Sequence, residues 1–326
     1  MQKLTWISGM ALLMAACQPK PKPAETNTPT TNTISTANVP VFSADSAYAY
    51  VAKQVAFGPR VPGTKAQKEC ASWLIKTLRP LSDTVYVQET TVTGPEKQKL
   101  PCINIVASFN PAAKDRVLVL AHWDTRPWGD QDAFNKKTPI DGADDGGSGV
   151  GVMMELARQF KLKQPNVGVD LLFTDVEDYG VSHVEDSYCL GTQYWAKNPH
   201  VKGYKANYGI LLDMVGGRGT QFFMEGFSKR DAYAPMKMFW DVANQLGYSS
   251  QFRYESPQDA AITDDHYYVN TMTGIPTFDI IALQQNGNFA PHWHTANDNI
   301  QIIDKTTLKA VGQTLLQVLY TQPLSY

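Results

Sequence analysis

The chain has 326 residues, 43% hydrophobic and 11% aromatic, enough to bury a sizeable core in one large α/β domain or two small ones. A formal net charge of −2 and a pI near 6.3 leave no electrostatic footprint for nucleic acid, and no nucleic-acid-binding motif is present. Dinucleotide and phosphate-loop binding are excluded too, since G-x-G-x-x-G and G-x-x-x-x-G-K-[ST] are both missing.

Residues 1–17 carry Lys3, an apolar run too short to span a bilayer, and small residues before Cys17. This is an export signal. Its Ala15-Ala16-Cys17 ending looks like a lipobox, with Met14 where Leu is usual. Cys17 then becomes the lipidated first residue of the mature chain, simple cleavage being the alternative. The expected location is lipid-anchored in the bacterial cell envelope, in the periplasm or at the outer membrane. Residues 18–42, rich in Pro, Thr, Asn and Lys, read as a disordered tether, and residues 43–326 as one catalytic domain. Cys70, Cys102 and Cys189 sit in no metal or redox spacing. They read as buried apolar residues with one possible disulfide.

Helical spacing predicts helices over Ser43–Ala56 and about Thr64–Leu78, separated by the turn-rich Phe57–Gly63. Thr84–Thr93 alternates like a half-buried strand, and Asn104–Phe109 and Val117–Ala121 are compact apolar runs like interior strands. A long aperiodic loop, Trp123–Ile140, precedes a Gly-rich acidic bend (Ile140 to Gly149) and a helix over Gly149–Leu162. Val169–Thr174 is a buried strand delivering Glu177-Asp178. After an irregular loop at 179–190 come a helix near Gly191–Ala196 and an apolar strand, Tyr208–Leu212, ending in Asp213. Helices are predicted at 229–246, from Asp264-Asp265-His266, and at 304–321, with a strand at Pro276–Ala282. This alternation implies a single three-layer α/β domain: a central mixed, mainly parallel sheet flanked by helices.

The acids cluster where such sheets build sites, at the C-terminal ends of strands. Glu177 and Asp178 are adjacent, so their side chains point in different directions; one can bind a metal while the other serves as a base. Adjacent acids also cap helices or sit in solvent, and it is the joint placement with Asp145, Asp213, His122 and His294 that argues for a site. Of the six histidines, His122 and His294 are the credible ligands. His200 reads as surface, His183 and His292 as loop residues, and His266 as a neighbour of the site. Asp145, Asp178 and His294 suit a catalytic zinc with three protein ligands and one open position, and the absence of thiolates argues against a structural zinc.

His122-x-Asp124, Gly142-x-Asp144-Asp145-x-x-Ser148-Gly149, Glu177-Asp178, Asp264-Asp265-His266 with Gly274-Ile275-Pro276, and His294-Thr295-x-x-Asp298 resemble the zinc-dependent aminopeptidase superfamily. The resemblance runs from Phe57 to the C-terminus. Within the superfamily the chain is most similar to the bacterial branch of the animal-type glutaminyl-peptide cyclotransferases. Trp293 precedes His294 as in the cyclases, and Asp264 stands where the peptidases commonly carry serine. Asp178 stands where animal cyclases have Glu, Asp279 replaces a histidine, and His183 falls about where they have a pocket tryptophan. These departures bear on the substrate pocket more than on the reaction.

The resemblance implies conversion of the N-terminal glutamine of peptides or proteins to pyroglutamate with release of ammonia. It implies one zinc on Asp145, Asp178 and His294, with Glu177 as base and acid and Asp264 and Asp213 as a hydrogen-bonded acid pair. Trp293, Phe289 and Ile262 would line the pocket; without the resemblance, core packing is their alternative role. The second reading is a dizinc aminopeptidase whose other ion uses His122, Asp145 and Asp213. A third is a surface lipoprotein that keeps the metal fold as a binding module.

Overall fold

The computed structural model describes residues 36–326, apart from 135, 256, 258–260, 323 and 325–326. The export signal and most of the tether lie outside the described residues. In chain order the elements are α1 (Ala44–Val55), α2 (Lys65–Leu78), β1 (Thr84–Thr93), β2 (Lys99–Phe109), β3 (Arg116–His122), α3 (Gly147–Leu162), β4 (Gly168–Thr174), α4 (Leu190–Lys197) and β5 (Tyr208–Asp213). They continue with β6 (Phe222–Phe223), α5 (Gly226–Asp231), α6 (Tyr233–Gln245), β7 (Phe252–Arg253), α7 (Asp265–Thr273), β8 (Thr277–Ile281) and α8 (Lys305–Thr321).

Six strands form one sheet in the order β1-β2-β4-β3-β5-β8. β4, β3, β5 and β8 run parallel, while β2 joins β4 antiparallel and carries β1 as the edge. β3, β4, β5 and β8 are buried along their whole length, because helices cover both faces. The larger core lies under α1, α2, α3, α6 and α8; on the other face Trp195 of α4 and Val269 of α7 pack on Val106, Leu118, Leu120, Leu172 and Leu211. The mixed, mainly parallel three-layer architecture expected from the sequence is the one found.

Two boundaries differ for physical reasons. The helix expected at 229–246 is two helices, broken at Ala232, whose φ of −142° and ψ of 36° leave the helical region. Pro235 lies just beyond, and in an unbroken helix its ring would meet the Asp231 carbonyl. β2 starts at Lys99 rather than Asn104, since Pro101 is tolerated where β2 pairs only with β1; β4 joins from Ile105 onward.

Candidate active site

The register of the parallel strands sets the site. His122 of β3 is level with Thr174 of β4, so the chain segments that follow emerge side by side. Pairing of Leu120 with Leu211 puts His122, two residues on, level with Asp213 at the end of β5. The chain steps from β3 to β4 on one side and then crosses to β5 on the other. A crevice therefore opens at the carboxyl ends of these strands.

Sharp bends turn the acids into that crevice. Val176, Met214 and His294 have φ of 54°, 50° and 54°, a left-handed conformation that costs non-glycine residues about 1–3 kcal/mol each. Gly146, at φ 85°, must lack a side chain, since a Cβ would lie 2.7 Å from the Asp124 carbonyl oxygen and 2.9 Å from His122 Cε1.

Buried charges then lock the bends by holding backbone. The Asp124 carboxylate accepts the N–H groups of Glu177 at 3.0 Å and Asp178 at 3.2 Å. Asp298 does the same for Asp144 at 2.7 Å and Asp145 at 3.1 Å. Arg60, fully buried, donates to the carbonyls of Trp123, Asp141 and Gly142, clasping the acidic bend to the end of β3. Arg126 donates to the carbonyls of Asp178 at 2.9 Å and Gly180 at 2.8 Å while pairing with Asp130. Asp130 in turn lies 3.0 Å from His294 Nδ1 and orients that ring.

The three predicted zinc ligands converge. Donor atoms of Asp145, Asp178 and His294 all lie within 4.8 Å of one another. His294 Nε2 is 3.1 Å from Asp178 Oδ1 and 3.7 Å from Asp145 Oδ2. His122, Asp145 and Asp213 form a second such triple, with His122 Nε2 3.0 Å from Asp145 Oδ1 and 3.4 Å from Asp213 Oδ1. Among the described residues, no donor meets Asp178 Oδ2 or Asp213 Oδ1, both buried acceptors, with hydrogen-bond geometry. Buried carboxylate oxygens left in this state, beside imidazoles and without thiolates, fit a divalent zinc.

The electrostatics agree. Burial works against charge on His294, yet Asp178 and the Asp130 contact pull its pKa up to about 9. Burial likewise opposes charge on Asp145, but the His122 contact holds it below the ordinary carboxylate range. The cluster is built to hold positive charge. Glu177 and Asp264 go the other way: burial pushes both carboxyls well up, assisted for Glu177 by Asp178 and for Asp264 by Asp213. Burial lifts Asp213 to about 6.

One cleft of about 550 Å³ brings most of the predicted residues together. Asp145, Glu177, Asp178, Asp213, Asp264 and His294 line it with Ile262, Phe289 and Trp293. Trp293 stacks on the His294 ring with centroids 3.8 Å apart, and Phe289 follows at 4.4 Å. The loop at 179–190 supplies one wall through Val181, Val184 and Tyr188.

Several expectations change. Among the described residues no hydrogen bond joins Asp213 to Asp264: Asp213 turns to His122, and Asp264 accepts from the Asp265 N–H at the start of α7. The expected acid pair is coupled by charge alone. Cys70, Cys102 and Cys189 are buried free thiols, with no disulfide among them. His200 is half-buried, stacked on Trp195 and accepting from its indole N–H at 3.2 Å. His292, given no role from sequence, lies 2.8 Å from Asp144 Oδ2, next to the candidate ligand Asp145. His266 sits behind the cleft, 3.1 Å from Glu225 and 3.7 Å from Asp279. Arg60, Arg126, Asp130 and Glu225 also escaped the sequence reading.

The family model for peptidase family M28 matches residues 104–319, well over half of the chain. The chain belongs to peptidase family M28. Among solved structures it is similar to a Zn-dependent exopeptidase from Parabacteroides distasonis, at 50% identity and a TM-score of 0.85, covering 87% of this chain and all of that one. It is similar to Bacteroides thetaiotaomicron glutaminyl cyclase bound to N-acetylhistamine at 46% identity and a TM-score of 0.85, covering 88% of this chain and all of that one. A curated relative, the glutaminyl-peptide cyclotransferase of Drosophila melanogaster, is 25% identical over 270 residues, 76% of this chain and 73% of its own. The resemblance to glutaminyl-peptide cyclotransferases within the zinc-dependent superfamily is thus borne out.

Proposed function

We propose that this M28 chain is a glutaminyl-peptide cyclotransferase. It converts the N-terminal glutamine of peptides or proteins to pyroglutamate, using one zinc and Glu177. The observation that carries the reading is that Glu177 and Asp264, two buried carboxyls pushed toward their neutral forms, line one cleft with Asp145, Asp178 and His294. The Bacteroides and fly proteins of that name support it.

Asp145, Asp178 and His294 would hold the ion. When bound, zinc supplies positive charge that polarises the side-chain amide carbonyl and steadies charge developing on its oxygen. The apolar wall of Ile262, Phe289 and Trp293 folds the glutamine side chain back toward its own α-amine, which makes the attack intramolecular. The amine nitrogen bonds to the amide carbon and gives an N–H proton to Glu177. The C–N bond to the departing nitrogen then breaks as Glu177 returns that proton, so ammonia leaves and the five-membered ring closes. Burial favours the neutral form of Asp264, and in that form it can donate a hydrogen bond within the cleft, with Asp213 on its flank.

One observation favours a second reading. His122, Asp145 and Asp213 also form a donor triple, as a dizinc aminopeptidase would require, with Glu177 taking a proton from the attacking water. Zinc titration of metal-free protein separates the two readings. Ammonia release from a Gln-initiated peptide should saturate at one zinc per chain; release of free amino acid that requires two zincs would favour the peptidase.

Export and a lipid anchor at Cys17 complete the proposal. No described helix is long and apolar enough to cross a membrane. Fatty-acid labelling of the full chain, lost in Cys17→Ser, would support the anchor; labelling retained in the variant would refute it.

A further inference from the structure

The loop at 179–190 ends on a residue that the proposed chemistry does not use. Cys189 is fully buried beneath the cleft, and its Sγ lies 3.3 Å from Glu177 Oε1 and 3.9 Å from Asp264 Oδ1. Donor atoms of Glu177, Cys189 and Asp264 all fall within 4.8 Å of one another, although Cys189 does not itself line the cleft. The backbone repeats the connection. The Cys189 N–H donates to the Glu177 carbonyl at 2.9 Å, and the Leu190 N–H to the Val176 carbonyl at 3.0 Å. The end of the loop is therefore laced to the residue pair that follows β4, and the thiol is held against the Glu177 carboxyl. Among the described residues Cys70 and Cys102 are also buried free thiols, and of these and Cys189 only Cys189 touches carboxyls of the cleft.

We propose that Cys189 is a positioning residue for Glu177. Its S–H donates to Oε1, fixes the carboxyl torsion, and holds the base at a set distance from Asp264. A thiol suits this place. It is a weak donor, so it steadies the carboxyl without matching the strength of a hydroxyl or amide. Burial pushes the thiol itself well above its ordinary range, so it stays protonated and remains a donor rather than a competing nucleophile. Oε2 lies on the other side, 3.9 Å from His122 Nδ1. The carboxyl is thus bracketed by a thiol and an imidazole, and proton transfer gains from that fixed geometry.

The inference rests on the proposed role of Glu177, and its test separates the two. In zinc-loaded full-length protein, Cys189→Ala should retain zinc and lower kcat about tenfold on a Gln-initiated peptide with KM little changed, as expected for loss of one hydrogen bond to the base. Cys189→Ser, which restores a donor, should recover kcat to within about threefold of the parent. A Cys189→Ala enzyme equal to the parent overturns the proposal, as does equal impairment of the alanine and serine variants, which would mark a packing role. Glu177→Gln is measured beside them. If it stays active, the base assignment falls and this inference with it; if it is inactive while Cys189→Ala is unimpaired, this inference alone falls. A readout independent of turnover is the infrared S–H stretching band of Cys189, isolated as the difference between parent and Cys189→Ser. Removal of the acceptor in Glu177→Ala should move the band to higher frequency, and an unmoved band overturns the proposal.

Discussion

Asp124 and Asp298 make the same contact on two different loops: each buried carboxylate accepts two consecutive backbone N–H groups of a segment bearing a candidate zinc ligand. Asp124 holds Glu177-Asp178 and Asp298 holds Asp144-Asp145. Both segments are thereby fixed through the main chain, while the Asp145 and Asp178 side chains line the cleft.

Removal of such a brace should weaken the site without touching a ligand. Asp298→Ala should cost about 1–3 kcal/mol for each orphaned N–H and lower zinc affinity about 10–100-fold. Asp298→Asn keeps one acceptor and should lose less of both. Thermal unfolding and zinc competition assays measure the two effects. Unchanged zinc affinity in Asp298→Ala would show that the bend stands without the brace.

Glu177 and His294 should separate chemistry from metal binding. Glu177→Gln should keep zinc and lose about 10²–10⁴-fold in kcat, the usual worth of a placed base. His294→Ala should lose zinc and turnover together. Metal content and steady-state rates on the same preparations provide the check, and an active Glu177→Gln enzyme would remove the base assignment.

The acid limb of activity should report the setting of Glu177. Burial raises its carboxyl well above the ordinary range, and the neighbouring Asp178 adds to the rise. The base works only when ionised, so kcat/KM should fall as pH drops through that raised value, above the range of an unperturbed glutamate. A rate that holds level down to the ordinary glutamate range would contradict this setting.

Glu225 is shifted the other way, and it should make stability depend on pH. Burial alone would raise its pKa, but the hydrogen bond and charge of His266, with the Ser228 contacts, bring it down to about 2 from 4.5. A carboxyl depressed on folding contributes stability above its unfolded pKa, and that contribution is lost as pH falls through the folded one. The contribution is about 3 kcal/mol, complete above pH 4.5 and declining toward pH 2. Urea unfolding from pH 6 to pH 2 should show the gap between parent and Glu225→Gln narrowing over that window. A gap independent of pH would contradict the ion pair.

The sheet and the convergence of the candidate donor residues were legible because the signals were local. Val117–Ala121, Val169–Thr174 and Tyr208–Leu212 are uninterrupted apolar runs, and His122, Glu177-Asp178 and Asp213 stand at their ends. Asp124 and Asp298 stand in the motifs but without a role there, and Arg60 and Arg126 stand in none; all four act on backbone groups distant in sequence, and no spacing rule gives the role of a residue whose partner is a carbonyl or an N–H on another loop. Cys189 was read as inert packing since a lone cysteine carries no pattern; its meaning comes from the 3.3 Å to Glu177. The break at Ala232 differs, because Pro235 is itself in the sequence and bars an unbroken helix through the preceding turn.

The most direct measurement is the product of the zinc-loaded protein acting on a Gln-initiated peptide and on a Leu-initiated one, with ammonia and free amino acids assayed separately. A cyclase releases one ammonia for each Gln-peptide converted, leaves the peptide chain intact, and does not act on the Leu-peptide. Free amino acid from either substrate, without ammonia, would contradict the account.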